Sequence, residues 1–230
     1  MAIVLVQHTS VSNNGAFSVN ATFPVTTTSG NLIIVGSRIG DQGLTGITCT
    51  DDAGNNYQLA TSSYFASLGY GYIFYARDVF PANTITVTVT GGATPTNRFI
   101  AHEYSGCEKV TPFDTATSQS QAGVTTASSG NITTFEANEL LWGMVGVSNN
   151  RTITAGTNLA WTFDEQLPAG AGNGKEGVEH FVLGAQGTYS AQFTITPADD
   201  CVTTIAAFRQ AVSSADQGAG GRRLLLGVGM

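Results

Sequence analysis

Apolar and polar residues alternate with a period of two along much of this chain. The clearest case is the segment 83–92, where Ile85, Val87 and Val89 fall on one side of an extended backbone and threonines fall on the other. Strict alternation among β-branched residues is typical of a strand with one buried face and one exposed face. The segment therefore predicts a half-buried antiparallel strand.

Further runs of β-branched, aromatic and aliphatic residues predict more strands. These runs are 32–39, 70–79, 98–106, 139–148, 158–166, 178–184, 189–196 and 201–209. Two of them contain continuously apolar stretches, LIIV at 32–35 and ELLWGMV at 139–145, which favours central strands covered on both faces. No segment shows the sustained 3.6-residue apolar repeat that a stable helix requires.

Turn-forming residues separate these runs. The clusters are DDAGN at 51–55, TGGATPTN at 90–97, PAGAGNGK at 168–175 and TPADD at 196–200. Roughly 12–15 short strands cannot bury their apolar faces in one open sheet. The sequence therefore predicts an all-β fold, a sandwich of two antiparallel sheets.

The composition changes after Arg209. Residues 210–221 form a Ser-, Gly- and Ala-rich stretch, and RRLLLGVGM ends the chain. We predict a sandwich domain at 1–210, followed at 211–230 by a flexible linker and a basic-apolar arm. The residues predicted to bind a protein partner are Arg222, Arg223, Leu224, Leu225 and Leu226, because adjacent exposed leucines need a groove. A frayed terminus is the alternative interpretation.

Composition and charge narrow the class of protein. Hydrophobic residues make up 42% of the 230 residues, which is enough for a core, and charged residues only 11%. The formal net charge of −7 argues against binding to nucleic acid or to an anionic membrane. The opening residues MAIVLVQHTS have no basic segment before a short apolar run, so we predict a first strand, no signal peptide and synthesis in a cytoplasm.

Three cysteines, Cys49, Cys107 and Cys201, lie far apart in the sequence. No C-x-x-C spacing is present, so neither a zinc knuckle nor a thioredoxin-like redox site is indicated. The odd number favours three reduced, buried thiols, with one disulfide and a free thiol as the alternative.

The candidate acids and bases do not form a catalytic pattern. His102 and Glu103 are neighbours in a predicted strand, as are Glu179 and His180, so the members of each pair point to opposite faces. The other candidates are adjacent acids, Asp164 with Glu165 and Asp199 with Asp200. Nucleophile-elbow, zinc-protease and phosphate-loop motifs are absent. We expect no enzyme activity, and we predict no catalytic, cofactor-binding or metal-binding residue.

The segment DDAGNNY at 51–57 has two interpretations. Asp51, Asp52 and Asn55 offer oxygen ligands for calcium, but the EF-hand spacing is not met. A hairpin turn explains the same residues, since Asp, Asn and Gly tolerate left-handed backbone angles. We favour the turn.

Aromatic residues in the predicted strands also have two interpretations, as a platform that stacks on sugar rings or as part of the core. We favour the core. The residues concerned are Trp142, Trp161, Tyr64, Tyr70, Tyr72 and Tyr75.

A series of short motifs resembles a known domain family. The motifs are SGNLIIV (29–35), TDDAGNNY (50–57), IFYARDV (73–79), ITVTV (85–89), IAHEYSG (100–106), ELLWGMVGV (139–147) and IAAFR (205–209). Over residues 25–210 the chain resembles a β-sandwich domain of bacteriophage structural proteins and of uncharacterised environmental bacterial and viral proteins. The resemblance implies a jelly-roll-like module for display, decoration or adhesion, and brings no catalytic residues with it.

Two functions follow as expectations. The first is a virion structural protein, a capsid decoration (cement) protein or a tail-associated surface protein, which contacts other virion proteins and forms a homo-oligomer. The second is a carbohydrate-binding or adhesive module that recognises surface glycans. Exposed aromatic side chains distinguish the second from the first, because sugar rings stack on flat apolar groups.

Overall fold

The computed structural model describes residues 1–168 and 174–212, and all sixteen helical or extended elements in these ranges are β-strands. The strands are β1 (Val4–Asn14), β2 (Ser18–Thr22), β3 (Leu32–Gly40), β4 (Leu44–Asp51), β5 (Gln58–Phe65), β6 (Gly69–Ala76), β7 (Thr84–Gly91), β8 (Thr96–Ser105), β9 (Phe113–Ser128), β10 (Ile132–Thr133), β11 (Leu140–Val147), β12 (Thr152–Ala155), β13 (Thr162–Leu167), β14 (Glu176–Val182), β15 (Thr188–Tyr189) and β16 (Gln192–Phe208).

The strands form antiparallel sheets that pack face to face, so the predicted all-β sandwich class is confirmed. A five-stranded sheet has the order β1-β8-β3-β6-β5. A six-stranded sheet has the order β12-β16-β11-β14-β13, with β9 also paired to β16. Two smaller sheets, β2-β7-β4 and β10-β15, add to the two large ones.

The central strands of the five-stranded sheet, β3, β6 and β8, are buried on both faces. Ile33 and Val35 of β3 pack against the three-stranded sheet, in what we call the upper core. Leu32 and Ile34 of the same strand pack against the six-stranded sheet, in what we call the lower core. Alternate residues of a strand point to opposite faces, so a strand between two cores must be apolar at consecutive positions. This confirms the prediction of a central strand here, and β11 is likewise buried throughout.

The strand β7 confirms the alternation from which it was predicted. Ile85, Val87 and Val89 are buried, and the threonines at 84, 86 and 88 are half-buried on the opposite face. The predicted strand 158–166 begins later, at Thr162. All three cysteines are free and buried, as predicted.

The prediction of a turn at TPADD (196–200) is wrong. The predicted strands 189–196 and 201–209 are parts of one strand, β16, which runs through these residues. The pairing of β16 with β9 shifts register between Thr194 and Asp199 and again before Cys201. A bulge of this kind accommodates turn-forming residues without ending the strand.

Candidate functional site

The predicted partner-binding residues Arg222, Arg223, Leu224, Leu225 and Leu226 lie outside the described residues. The last described residue before them is Val212, which is 62% exposed. The position of Val212 therefore marks where residues 213–230 continue from the sandwich.

The predicted separation of His102 from Glu103 is confirmed. His102 contacts Tyr104 and Trp142, both of which belong to the lower core. The Glu103 carboxylate instead accepts hydrogen bonds from Gln7 Nε2 at 2.6 Å, Thr28 N at 2.7 Å and Asn31 Nδ2 at 2.6 Å. The two neighbours take part in different networks.

All three histidines of the chain lie close together where the two large sheets meet, with His102 buried and His8 half exposed at the edge, which the sequence did not indicate. His8 of β1 pairs directly with His102 of β8, and their rings lie 5.7 Å apart. The ring of His180, from β14, lies 6.5 Å from that of His102. Residues 8, 102 and 180 are distant in sequence, so only the strand register and the sheet packing reveal this histidine cluster.

Carboxylates of β13 complete the histidine cluster. Asp164 Oδ2 lies 2.8 Å from His180 Nδ1 and 4.0 Å from His102 Nδ1. Glu165 Oε2 lies 3.8 Å from His8 Nδ1, and Glu165 Oε1 accepts a hydrogen bond from Ser10 Oγ at 2.8 Å. The pairing of β13 with β14 shifts register between Phe163 and Glu165. These contacts join β1 of one large sheet to β13 of the other.

The hydrogen bonds of His102 define its protonation. Trp142 Nε1 donates to His102 Nδ1 at 3.0 Å, and because an indole nitrogen only donates, Nδ1 must carry a lone pair. The neutral ring then carries its proton on Nε2, which is buried. Burial, with repulsion from His8 and His180, lowers the pKa of His102 well below its usual value. His102 is therefore a neutral core residue.

The Asp164–His180 pair has the geometry of a carboxylate that orients an imidazole. The side chain of His180 is only 16% exposed and that of Asp164 is 7% exposed. Within residues 1–168 and 174–212, no group of three or more His, Cys, Asp or Glu side chains could hold a metal ion. The contact between the two side chains links β13 to β14.

A second buried polar group lies in the same interface. The backbone N–H of Arg38 donates to Glu176 Oε2 at 3.1 Å, and the Arg38 guanidinium donates to Thr96 Oγ1 at 2.6 Å and Leu68 O at 3.2 Å. Arg98 Nε donates to Gly174 O at 3.0 Å. Burial lowers the pKa of Arg38 to about 10, so it stays charged at neutral pH. These contacts tie β14 to the five-stranded sheet.

The turn at 51–55 is confirmed, but it does not form a hairpin. It joins β4 of the three-stranded sheet to β5 of the five-stranded sheet. Asp51 Oδ1 accepts hydrogen bonds from Ala53 N and Asn55 N, both at 3.0 Å, and Asp51 Oδ2 accepts from Asn55 Nδ2 and Tyr57 OH. The Asp51 carboxylate therefore stabilises the turn through these hydrogen bonds.

Most of the candidate aromatics are in the core, as we favoured. Trp142, Trp161, Tyr72 and Tyr75 are buried. Tyr64 is 45% exposed, and its ring lies 4.6 Å from that of the half-buried Tyr70. The most exposed aromatics, Phe80 and Phe135, lie in connecting segments that the strand pattern did not single out.

Large apolar side chains are exposed in loops and chain ends at one end of the sandwich, which we call the apolar pole. They are between 62% and 78% exposed, and they are Met1, Phe80, Val110, Phe135 and Val212. The N-terminal nitrogen of Met1 lies 3.5 Å from Ala211 O, and Ala211 N donates to Gly106 O at 2.8 Å. Met1 and Val212 are therefore neighbours.

Arg209 connects the other parts of the apolar pole. Its backbone oxygen accepts from Glu108 N at 2.9 Å, two residues before Val110. Its guanidinium forms an ion pair with Asp114, and Asp114 Oδ2 accepts from Phe135 N at 3.1 Å. The loops that carry Val110 and Phe135 are thereby held beside the end of β16.

An open cleft of about 430 Å³ lies at the apolar pole. Its apolar part is Phe80 and Val110, and its polar part is Asn56, Gln58, Arg77, Asp78 and Lys109. Among the described residues this is the place where an exposed aromatic ring, amide side chains and charges of both signs line one cleft.

Comparisons with protein-family models, with curated proteins and with solved structures found no match. No helix in the described ranges has the length and apolar character needed to cross a membrane.

Proposed function

We propose that this chain is a virion structural protein, a capsid decoration or tail-associated surface protein that acts by contacts with other proteins. The observation that carries the proposal is the apolar pole: five large apolar side chains are exposed at the end of the sandwich from which residues 213–230 continue. The family resemblance of residues 25–210 supports the same role.

The physical basis is burial of apolar surface on attachment. Removal of apolar surface from water contributes about 25 cal/mol per Å². The sandwich presents this surface on loops and ends, so it can attach without disturbing the sheets. We expect the leucines of the predicted arm, Leu224 to Leu226, to contribute further apolar surface to the attachment.

Particle incorporation tests the proposal. Particles produced by cells that express the full chain are purified on a density gradient and examined by mass spectrometry. We expect the chain to sediment with the major structural proteins, and its absence from washed particles would contradict the virion role. Light scattering on the purified chain tests the expected homo-oligomer.

A truncated chain tests the arm separately. Deletion of residues 213–230 should abolish incorporation while the circular dichroism spectrum and melting temperature of the sandwich stay unchanged. The variant Phe135→Ser in the full chain tests whether the apolar pole takes part in incorporation. Full loading of the truncated chain would show that the arm is not the attachment segment.

A further inference from the structure

We propose that the cleft beside Phe80 is a binding site for a carbohydrate that carries a carboxylate, such as a uronic acid or a sialic acid. The site lies on the apolar pole, but the inference does not depend on the virion role. Its volume of about 430 Å³ falls within the roughly 300–1,000 Å³ typical of small-molecule sites.

Asn55 holds the backbone that carries the aromatic ring of the cleft. Phe80 N donates to Asn55 Oδ1 at 2.7 Å, and Asn55 Nδ2 donates to Phe80 O at 2.9 Å. Asn55 Nδ2 also donates to Asp51 Oδ2 at 2.7 Å, within the folded turn. The Phe80 ring is nevertheless 67% exposed. The exposed ring offers a flat apolar surface on which the C–H face of a sugar can stack, and because the backbone is already fixed, binding has to order only the rotamers of the ring.

The amides beside Phe80 suit hydroxyl groups. An amide side chain both donates and accepts hydrogen bonds, as a sugar hydroxyl does. Gln58 Oε1 accepts a hydrogen bond from Tyr75 OH. This bond orients the amide so that its Nε2 donors point away from Tyr75. Asn56 is exposed, and within the described residues no hydrogen bond engages its side chain. The cleft therefore has free polar groups next to its ring.

The charges in the cleft favour an acidic sugar. Lys109 Nζ lies 3.5 Å from Asp78 Oδ1, so these two charges are paired. Arg77 is exposed and has no ion-pair partner among the described residues. A guanidinium presents two parallel N–H donors that match a carboxylate. Arg77 is therefore the cleft residue that would attract an anionic ligand to a chain of net charge −7.

Binding of matched oligosaccharides to the full-length protein tests the site. The probes are sialyllactose against lactose and trigalacturonate against trigalactose, measured by calorimetry or ligand-observed NMR at low salt. We expect the acidic member of at least one pair to bind with a Kd of about 1 mM or tighter and more tightly than its neutral partner. Added salt should weaken the acidic ligand selectively.

Three variants identify the residues that act. Phe80→Ala should weaken the acidic ligand about tenfold, because the stacking surface is lost. Arg77→Gln should remove most of the preference for the acidic over the neutral member of each pair. Tyr64→Ala changes an exposed aromatic outside the cleft and should leave binding unchanged.

Several results would overturn the proposal. The first is that neither acidic probe binds at millimolar concentration. The second is that the Phe80→Ala variant binds as well as the unaltered protein. The third is that a short poly-glutamate peptide binds as tightly as the acidic sugars. The last result would indicate an acidic peptide site. Unchanged melting temperatures of the variants ensure that lost binding is not lost folding.

Discussion

The two faces of the five-stranded sheet bury their residues in different ways. The upper core is made mainly by apolar side chains such as Val35, Val87 and Phe99. The buried Glu103 on the same face bonds to its own sheet and to a loop, not to the other large sheet. The lower core combines apolar residues with His102, and buried Arg38 and Glu176 lie in the same interface between the sheets. The same strands supply both faces, since consecutive residues alternate between them.

This difference distinguishes side chains that stabilise the fold by being buried from side chains that determine how the two large sheets align. Apolar contacts stabilise the upper core without strong directional demands, so residues of similar volume can replace one another there. Polar groups in the lower core must meet particular partners, since a buried group without one costs free energy. We infer that the lower core sets the alignment of the two large sheets and that the upper core contributes mainly stability.

The largest expected effect is in the upper core. Phe99→Ala should lower the free energy of unfolding by about 3–5 kcal/mol, because it removes a fully buried ring and leaves a cavity. Urea unfolding followed by fluorescence or circular dichroism measures this. Ile100→Val, at the next position and in the lower core, is the control and should cost only about 0.5–1.5 kcal/mol. Equal losses in the two variants would contradict the full burial of the Phe99 ring in the upper core.

A smaller effect is expected from the hydrogen bonds of the lower core. Trp142→Phe should cost about 1–3 kcal/mol, because His102 Nδ1 loses the indole donor and the ring is shortened. Tyr104 OH lies 3.1 Å from the same nitrogen, so Tyr104→Phe is the matched variant. The double variant should lose more than the sum of the two single losses, since either donor alone can serve His102. Strict additivity would show that the two donors act independently.

The third prediction concerns pH. The pKa of His102 is lowered in the folded protein, so below about pH 6.5 the unfolded chain binds more protons than the folded one at this residue. Its contribution to stability is therefore full above pH 6.5 and declines as the pH falls, by at most about 1.4 kcal/mol per pH unit.

His102→Gln tests this, because glutamine retains an acceptor for Trp142 and does not titrate in this range. The urea midpoint of the variant should fall less than that of the unaltered protein between pH 7 and pH 5. Burial raises the pKa of Glu179 to about 8, which gives the opposite trend in both proteins. The difference between the two curves isolates His102, and parallel curves would contradict its neutral state.

The local pattern of apolar and polar residues was enough to predict much of the fold. The alternation at Ile85, Val87 and Val89 and the continuous apolar run of β3 identified a half-buried strand and a doubly buried one, and both are confirmed. The same local logic failed at TPADD, because pairing with β9 on a bulge keeps β16 extended through residues that favour turns.

The candidate sites were much less predictable. The separation of His102 from Glu103 follows from the period of two, but the approach of His8, His180 and Asp164 to His102 does not. Phe80 was missed because it lies in a connection, where no repeating pattern marks a residue as exposed.

The sequence by itself determined that this protein is made of strands and which of their faces are apolar, because these properties depend on neighbouring residues. Only the tertiary structure decided which strands pair, which polar residues meet in the lower core and which loops gather at the apolar pole. Those outcomes depend on strand register and on sheet packing, which join residues as far apart as Met1 and Ala211.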